Sequence, residues 1–404
     1  MVFATNGIAS LKRNARLSKE TGTAKRKGAG NEARVRADAK HMTIQIRQGQ
    51  VTVLFAFDIG FEVSMDKLSG MLSSVPVPPL SQKKQTPSYL QYASPPRLVN
   101  LGSIDALLSL PGNVQATVFD FGAASIAYRW PLTKPGDAFA LGDLPRLSHA
   151  LYARNLEPHA RKQAQRLIEM IRPAIVRPDL SSLVEDYYLF VVEEFDQPWL
   201  AETLLEQHRS TLAQVLRFET QPLSVEQQED ALAQRIAYFS NDLILVDWNA
   251  ALIFDRDYWD AANVLELLNV ELLEARYIDA ELDKKIREYQ GSLRKRTAWS
   301  LPFKTPYRKT IQELAELRIE SLVLAKRVEN ALKLIGDQYL ARIHNAATTR
   351  FYLSDWEAAI SRKLDLIANF YQLLTDRVRT AQSHTLELII ILLILAEILL
   401  ATFK

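Results

Sequence analysis

Cysteine is absent from the 404 residues. That excludes disulfides, thiolate nucleophiles and cysteine-ligated zinc, and it suits a reducing compartment. Histidine is scarce. His41, His149, His159, His208, His344 and His384 never fall at His-x-x-x-His or His-x-His spacing, so a helical zinc pair is lacking. No Gly-x-Gly-x-x-Gly, P-loop or Gly-x-Ser-x-Gly occurs. Asp120-Phe121-Gly122 has the letters of a kinase metal loop, but no Gly-rich loop, strand lysine or His-Arg-Asp loop accompanies it. No catalytic residue, cofactor motif or metal set emerges, and the reading favours a non-enzymatic protein.

Acids are thin in two stretches. Residues 1–41 hold ten Lys/Arg against three Asp/Glu, a charge of +7, which leaves −5 on the rest of a chain whose total is +2. The arm is short of hydrophobic residues and is expected to be disordered. It lacks an apolar h-region, which excludes a secretory signal. Three readings stay open: an organellar transit peptide, a basic arm for anionic lipid or RNA, or an over-extended start with Met42 as the true first residue. The second stretch lies between Glu288 and Glu313 and contains no acid. Within it, 291–309 forms a basic-aromatic connector. Arg294, Lys295, Arg296, Lys304 and Arg308, with Trp299, are candidate contacts for lipid headgroups or RNA. A solvated loop is the plain alternative, and the negative body argues against nucleic acid as the main partner.

Residues 42–290 read as an α+β body. Strand-like runs occur at 51–63, 187–195, 242–248 and 250–254, and two β runs flank Asp120–Gly122 as a hairpin. Helical patterns fall at 64–74, 157–172, 198–218 and 224–237, the last without a capping box. Helix 258–290 carries a buried stripe of Leu265, Leu268, Leu272 and Ala275. The proline-dense stretch 75–97 is read as a surface loop. Strands scattered among helices without regular βαβ spacing favour α+β over a doubly wound fold.

Paired acids Glu193 and Glu194, and clustered Asp255, Asp257 and Asp260, could bind a divalent cation. The plainer reading makes them solvated turn and first-turn helix residues.

Residues 310–383 are read as a helical hairpin, a coiled-coil-like stalk. Its first seam is Leu314, Leu317, Ser321, Leu324, Val328, Ala331 and Ile335. The second starts at a capping box, Ser354-Asp-Trp-Glu357, and runs Ile360, Leu364, Ile367, Tyr371, Leu374 and Val378. The same register continues into residues 384–404, a C-terminal transmembrane helix. From Leu388 to Phe403 every residue but Glu397 and Thr402 is apolar, with no polar face. Arg377 and Arg379 precede the span and only Lys404 follows it, which places the body on the cytoplasmic or equivalent side. Glu397 stays neutral, reaches the far headgroups or pairs with another chain. A single-span, self-associating membrane protein with protein partners is the expectation.

Two segments together carry a family resemblance. One comprises Ile236–Val246, Asp257-Tyr-Trp-Asp260 and Leu273–Asp283; the other is His384-Thr-Leu-Glu-Leu-Ile-Ile-Ile-Leu-Leu-Ile-Leu-Ala-Glu-Ile398. With Val118-Phe-Asp-Phe-Gly122, they resemble the family named "required for meiotic nuclear division", over about residues 114–404. The resemblance implies membrane assemblies, among them mitochondrial inner-membrane assemblies that support translation, and others concerned with sporulation. It supplies no catalytic residues. His384, Glu387 and Glu397 become candidate membrane or oligomer contacts. Two rivals stand beside this scaffold: an enzyme using Glu193, Glu194 or Asp257, and a membrane-tethered RNA binder.

Overall fold

The computed structural model describes residues 44–71, 75–76, 95–295, 312, 315 and 338–402; at some helical positions past 288 only the backbone is described. The basic arm, most of the connector 291–309 and all seven residues of the first stalk seam lie outside these residues.

In chain order the strands are β1 (Gln45–Asp58), β2 (Glu62–Val63), β3 (Val75–Pro76), β4 (Arg97–Leu107), β5 (Leu110–Val118) and β6 (Ala123–Pro131). They continue as β7 (Phe139–Ala140), β8 (Ile175–Val176), β9 (Glu185–Phe195), β10 (Gln234–Ile236), β11 (Leu243–Val246) and β12 (Ala250–Phe254). The helices are α1 (Met65–Met71), α2 (Leu144–Ala153), α3 (Glu157–Ile171), α4 (Ala201–Arg217) and α5 (Val225–Ala231). After them come α6 (Trp259–Lys295), α7 (Gln338–Arg350) and α8 (Leu353–Thr402).

β1 is 14 residues long and lies between β9 and β6, antiparallel to both. Its residues 51–57 are buried without interruption because both faces of the sheet are covered. Val51, Val53, Phe55 and Phe57 join one core, with Leu147, Leu167 and Leu212 from α2, α3 and α4. Leu54 points to the other face, where α6 and α7 bring Leu265, Leu268, Leu340 and Ile343. The body is thus a sheet between two helical layers. The ten-stranded sheet runs β10-β11-β12-β9-β1-β6-β5-β4-β3, with β7 beside β1.

The expected hairpin at Asp120–Gly122 forms, with Val118 opposite Ala124. Gly122 adopts φ +97°, and a Cβ there would lie 1.8 Å from the Gly60 carbonyl oxygen. The third letter of Asp-Phe-Gly is therefore a backbone requirement.

Three expectations change. The helix at 224–237 ends at Ala231, and Gln234–Ile236 pairs with β11 as an edge strand. Ser224 does cap this helix, accepting from the Gln227 N–H at 3.3 Å. The stretch 75–97 begins and ends in strand: Val75 and Pro76 pair with Leu98 and Arg97, a sheet edge where proline loses no ladder bond.

The C-terminal helices start from the body. α7 and α8 are separated by Phe351 and Tyr352, the latter left-handed at φ 55°. Ile360 and Ile367 of α8, with Leu364, pack on Ala275, Ile278, Leu282 and Ile286 of α6. The first three residues of the second seam are therefore met by α6, whereas Tyr371 is exposed and the side chains of Leu374 and Val378 lie outside the description. Lys363 reaches Asp279 and Asp283 at 2.7 Å each, and Glu271 feels the charge of Glu357, so α6 and α8 run in the same direction. α8 continues unbroken for 50 residues, about 75 Å of helix.

Candidate functional site

β9 and β12 are parallel neighbours, with Ala250 beside Tyr188 and Phe254 beside Val192. Their carboxyl ends therefore deliver side chains to one rim, the place where open sheets containing parallel strands form ligand crevices. Glu193, Glu194 and Phe195 arrive from β9, and Phe254, Asp255 and Arg256 from β12. The β10–β11 connection adds Phe239, Asn241 and Asp242, and the approach to α4 adds Asp196, Pro198 and Trp199. Together they line a cleft of about 350 Å³.

Five acids and one arginine are among the residues that line this cleft. Arg256 pairs with Glu194 at 2.9 Å. Gln48 Nε2 donates to Glu193 at 2.6 Å, and the Gln45 N–H donates to Asp196 Oδ1 at 3.4 Å. Asp242 accepts from the N–H groups of Tyr238 and Phe239 at 2.9 and 2.8 Å, which shapes the turn. Burial holds the carboxyls of Glu193 and Asp255 above their ordinary range. The rings of Phe195 and Phe254 meet at 4.7 Å. Such a cleft suits a cation with an apolar body. Among the described residues no three acidic or histidine side chains stand close enough to hold a metal ion.

The clustered acids of the sequence divide here. Glu193, Glu194 and Asp255 converge. Asp257 does not line the cleft; its N–H donates to Asp255 Oδ1 at 2.9 Å. Asp260 lies in the first turn of α6, where its charge suits the helix dipole.

A second polar group joins residues that are far apart in the sequence. Asp247, fully buried at the end of β11, meets Arg217 Nε at 2.5 Å and Arg350 at 2.9 Å. Both guanidiniums also pair with Asp230, whose carboxyl is held below its usual range chiefly by the Arg350 hydrogen bond. Burial nevertheless raises the Asp247 carboxyl, the arginines opposing it. The knot ties α4, α5 and α7 to the sheet.

A third group lines the inner face of α6. Glu274 is 1% exposed, and neither of its carboxylate oxygens has a hydrogen-bond partner among the described residues. Burial, with Asp58 nearby, lifts its carboxyl well above the usual range. Asp58 is pushed up to about 7 by burial and Asp179, against the N–H of Gly60. Glu271 is pushed up to about 8 by burial and Glu357. Glu185 is paired with Arg276.

At the far end of α8 every described side chain from 389 to 401 is exposed. Ile389 to Leu395 form seven consecutive exposed apolar residues, Ile391 at 64%. Glu387 and Glu397 are exposed on the same helix. Among the described residues no helix carries a window long and apolar enough to cross a membrane. The side chain of His384 lies outside the description, as do those of Arg294 and Lys295 in the last turn of α6. Arg296, Trp299, Lys304 and Arg308 lie outside the described residues altogether.

A family profile described as "Uncharacterized protein MJ0711, N-terminal domain" matches residues 48–260, the span from β1 to the start of α6. The curated protein so named, from Methanocaldococcus jannaschii, is 27% identical over 223 residues, 55% of this chain and 67% of that protein. No solved structure matches the chain.

Proposed function

The chain belongs to the family of the MJ0711 N-terminal domain, and from that premise we propose that it is a membrane-anchored, non-enzymatic scaffold. The α/β body is the module that meets partners, and α8 is the anchor. One observation carries the reading: a continuous 50-residue helix ends in thirteen successive exposed side chains, apolar except for Glu397. At 100° per residue, seven consecutive hydrophobics face every direction around a helix. A protein partner needs only a stripe, whereas lipid accepts the whole circumference. An exposed apolar surface of this size marks an interaction site.

The sequence carries the run back to Leu388 and on to Phe403. Sixteen residues make about 24 Å of helix, against a hydrocarbon core of about 30 Å. Entry of Thr385 and Leu386, or local thinning, closes the difference. Arg377 and Arg379 before the run set the body on the cytoplasmic or matrix side. Glu397 then pairs within a homo-oligomer, with His384 and Glu387 at the headgroup level. The resemblance to the required-for-meiotic-nuclear-division family supports the setting: an inner-membrane assembly that serves translation.

Flotation of the full chain with lipid vesicles tests this. The protein is expected to float, and Ile391→Lys with Leu395→Lys to leave it in the dense fraction. A wild-type chain that stays in the dense fraction as a monodisperse species without detergent would overturn the proposal.

A further inference from the structure

We propose that the acidic cleft is the docking site of the chain's own basic arm, residues 12–40. The inference concerns the body and stands apart from the membrane reading. Charge complementarity is the first argument: the arm carries +7 over 41 residues, and five acids and one arginine, Arg256, line the cleft.

Position is the second. The chain enters the fold beside the cleft wall, where the Asp196 N–H donates to the Gln45 carbonyl at 2.8 Å and the Gln45 N–H returns a bond to Asp196 Oδ1. Lys40 is five residues ahead of Gln45, so a reach of about 17 Å brings it to the rim; Arg36 extends that to about 30 Å. A segment tethered at this range acts at an effective concentration of about a millimolar.

The third argument is the apolar part of the lining. The aliphatic stems of Lys and Arg lie well against Phe195, Phe254 and the exposed ring of Phe239. Cations seated here favour the ionised forms of Glu193 and Asp255, which burial otherwise disfavours.

The chain has no cysteine of its own, so introduced pairs report unambiguously. The full chain in detergent micelles is given Arg36→Cys with Gln197→Cys in the cleft, or Arg36→Cys with Ser103→Cys on β4, three strands from β1. A short bismaleimide is expected to join the first pair within one chain about tenfold faster than the second. Adding Glu193→Gln, Glu194→Gln and Asp255→Asn, or molar salt, is expected to remove that advantage. The salt arm uses the unaltered cleft, so it reads the contact even if the neutralised variant fails to fold. Equal rates for the two pairs, or a rate indifferent to salt, would contradict the proposal. Cross-linked dimers in place of monomers would assign the cleft to the arm of a second copy and overturn it too.

Discussion

Asp247 has no exposed surface and faces two guanidiniums, so its removal leaves Arg217 and Arg350 with Asp230 alone on their more exposed side. Asp247→Ala is expected to cost about 3 kcal/mol in urea unfolding, the range for breaking a buried pair. The buried acids between the sheet and α6, Asp58 of β1 with Glu271 and Glu274 of α6, act oppositely. Their folded carboxyls sit above their unfolded values, so the stability they allow is full below about pH 4 and is lost as pH rises. For Asp58 and Glu271 the loss runs through about 7 and about 8. Glu271→Gln is therefore expected to raise the melting temperature at pH 8 and leave it nearly unchanged at pH 4, as read by calorimetry. Gly122→Ala meets the Gly60 carbonyl in a left-handed conformation and is expected to cost upwards of about 2 kcal/mol. None of these roles was legible as a contact. Arg217, Asp247 and Arg350 stand far apart in sequence, and no spacing rule connects them. Glu193 and Glu194 were visible as a pair because they are adjacent. Asp255 joined them only through the parallel register of β9 and β12.

Helix α8 shows what a repeat can and cannot tell. The period through Ile360, Leu364 and Ile367 was readable because an apolar stripe must be buried somewhere. Its partner was not, since a stripe names no mate; α6 meets it. Ile367 is 1% exposed in that seam. Ile367→Ala is expected to weaken it by about 2–5 kcal/mol, seen as faster amide exchange over 355–370 with the sheet unaffected. Helix 224–237 failed for a different reason. Gln234–Ile236 is too short to show alternation, and its strand state comes from pairing with Ile244–Val246. Ser224 was readable as a cap through the Gln227 that follows it by three.

At the scale of the molecule, two long helices lead from sheet to tail. α6 lies on the sheet through Leu265 and Leu268, then leaves the body carrying Ile278, Leu282 and Ile286 against α8. α8 continues to the exposed apolar end. The family match covers the body up to the start of α6. The anchored scaffold is the claim that joins the body to its long helices, and the cysteine-free chain offers a direct test. A single cysteine at Ile391 is placed in protein reconstituted into vesicles, beside a reference cysteine at Ser354, and a membrane-impermeant maleimide is added. The account predicts that Ser354→Cys labels at once and Ile391→Cys only after detergent dissolves the bilayer. Equal labelling of both positions in intact vesicles would contradict it.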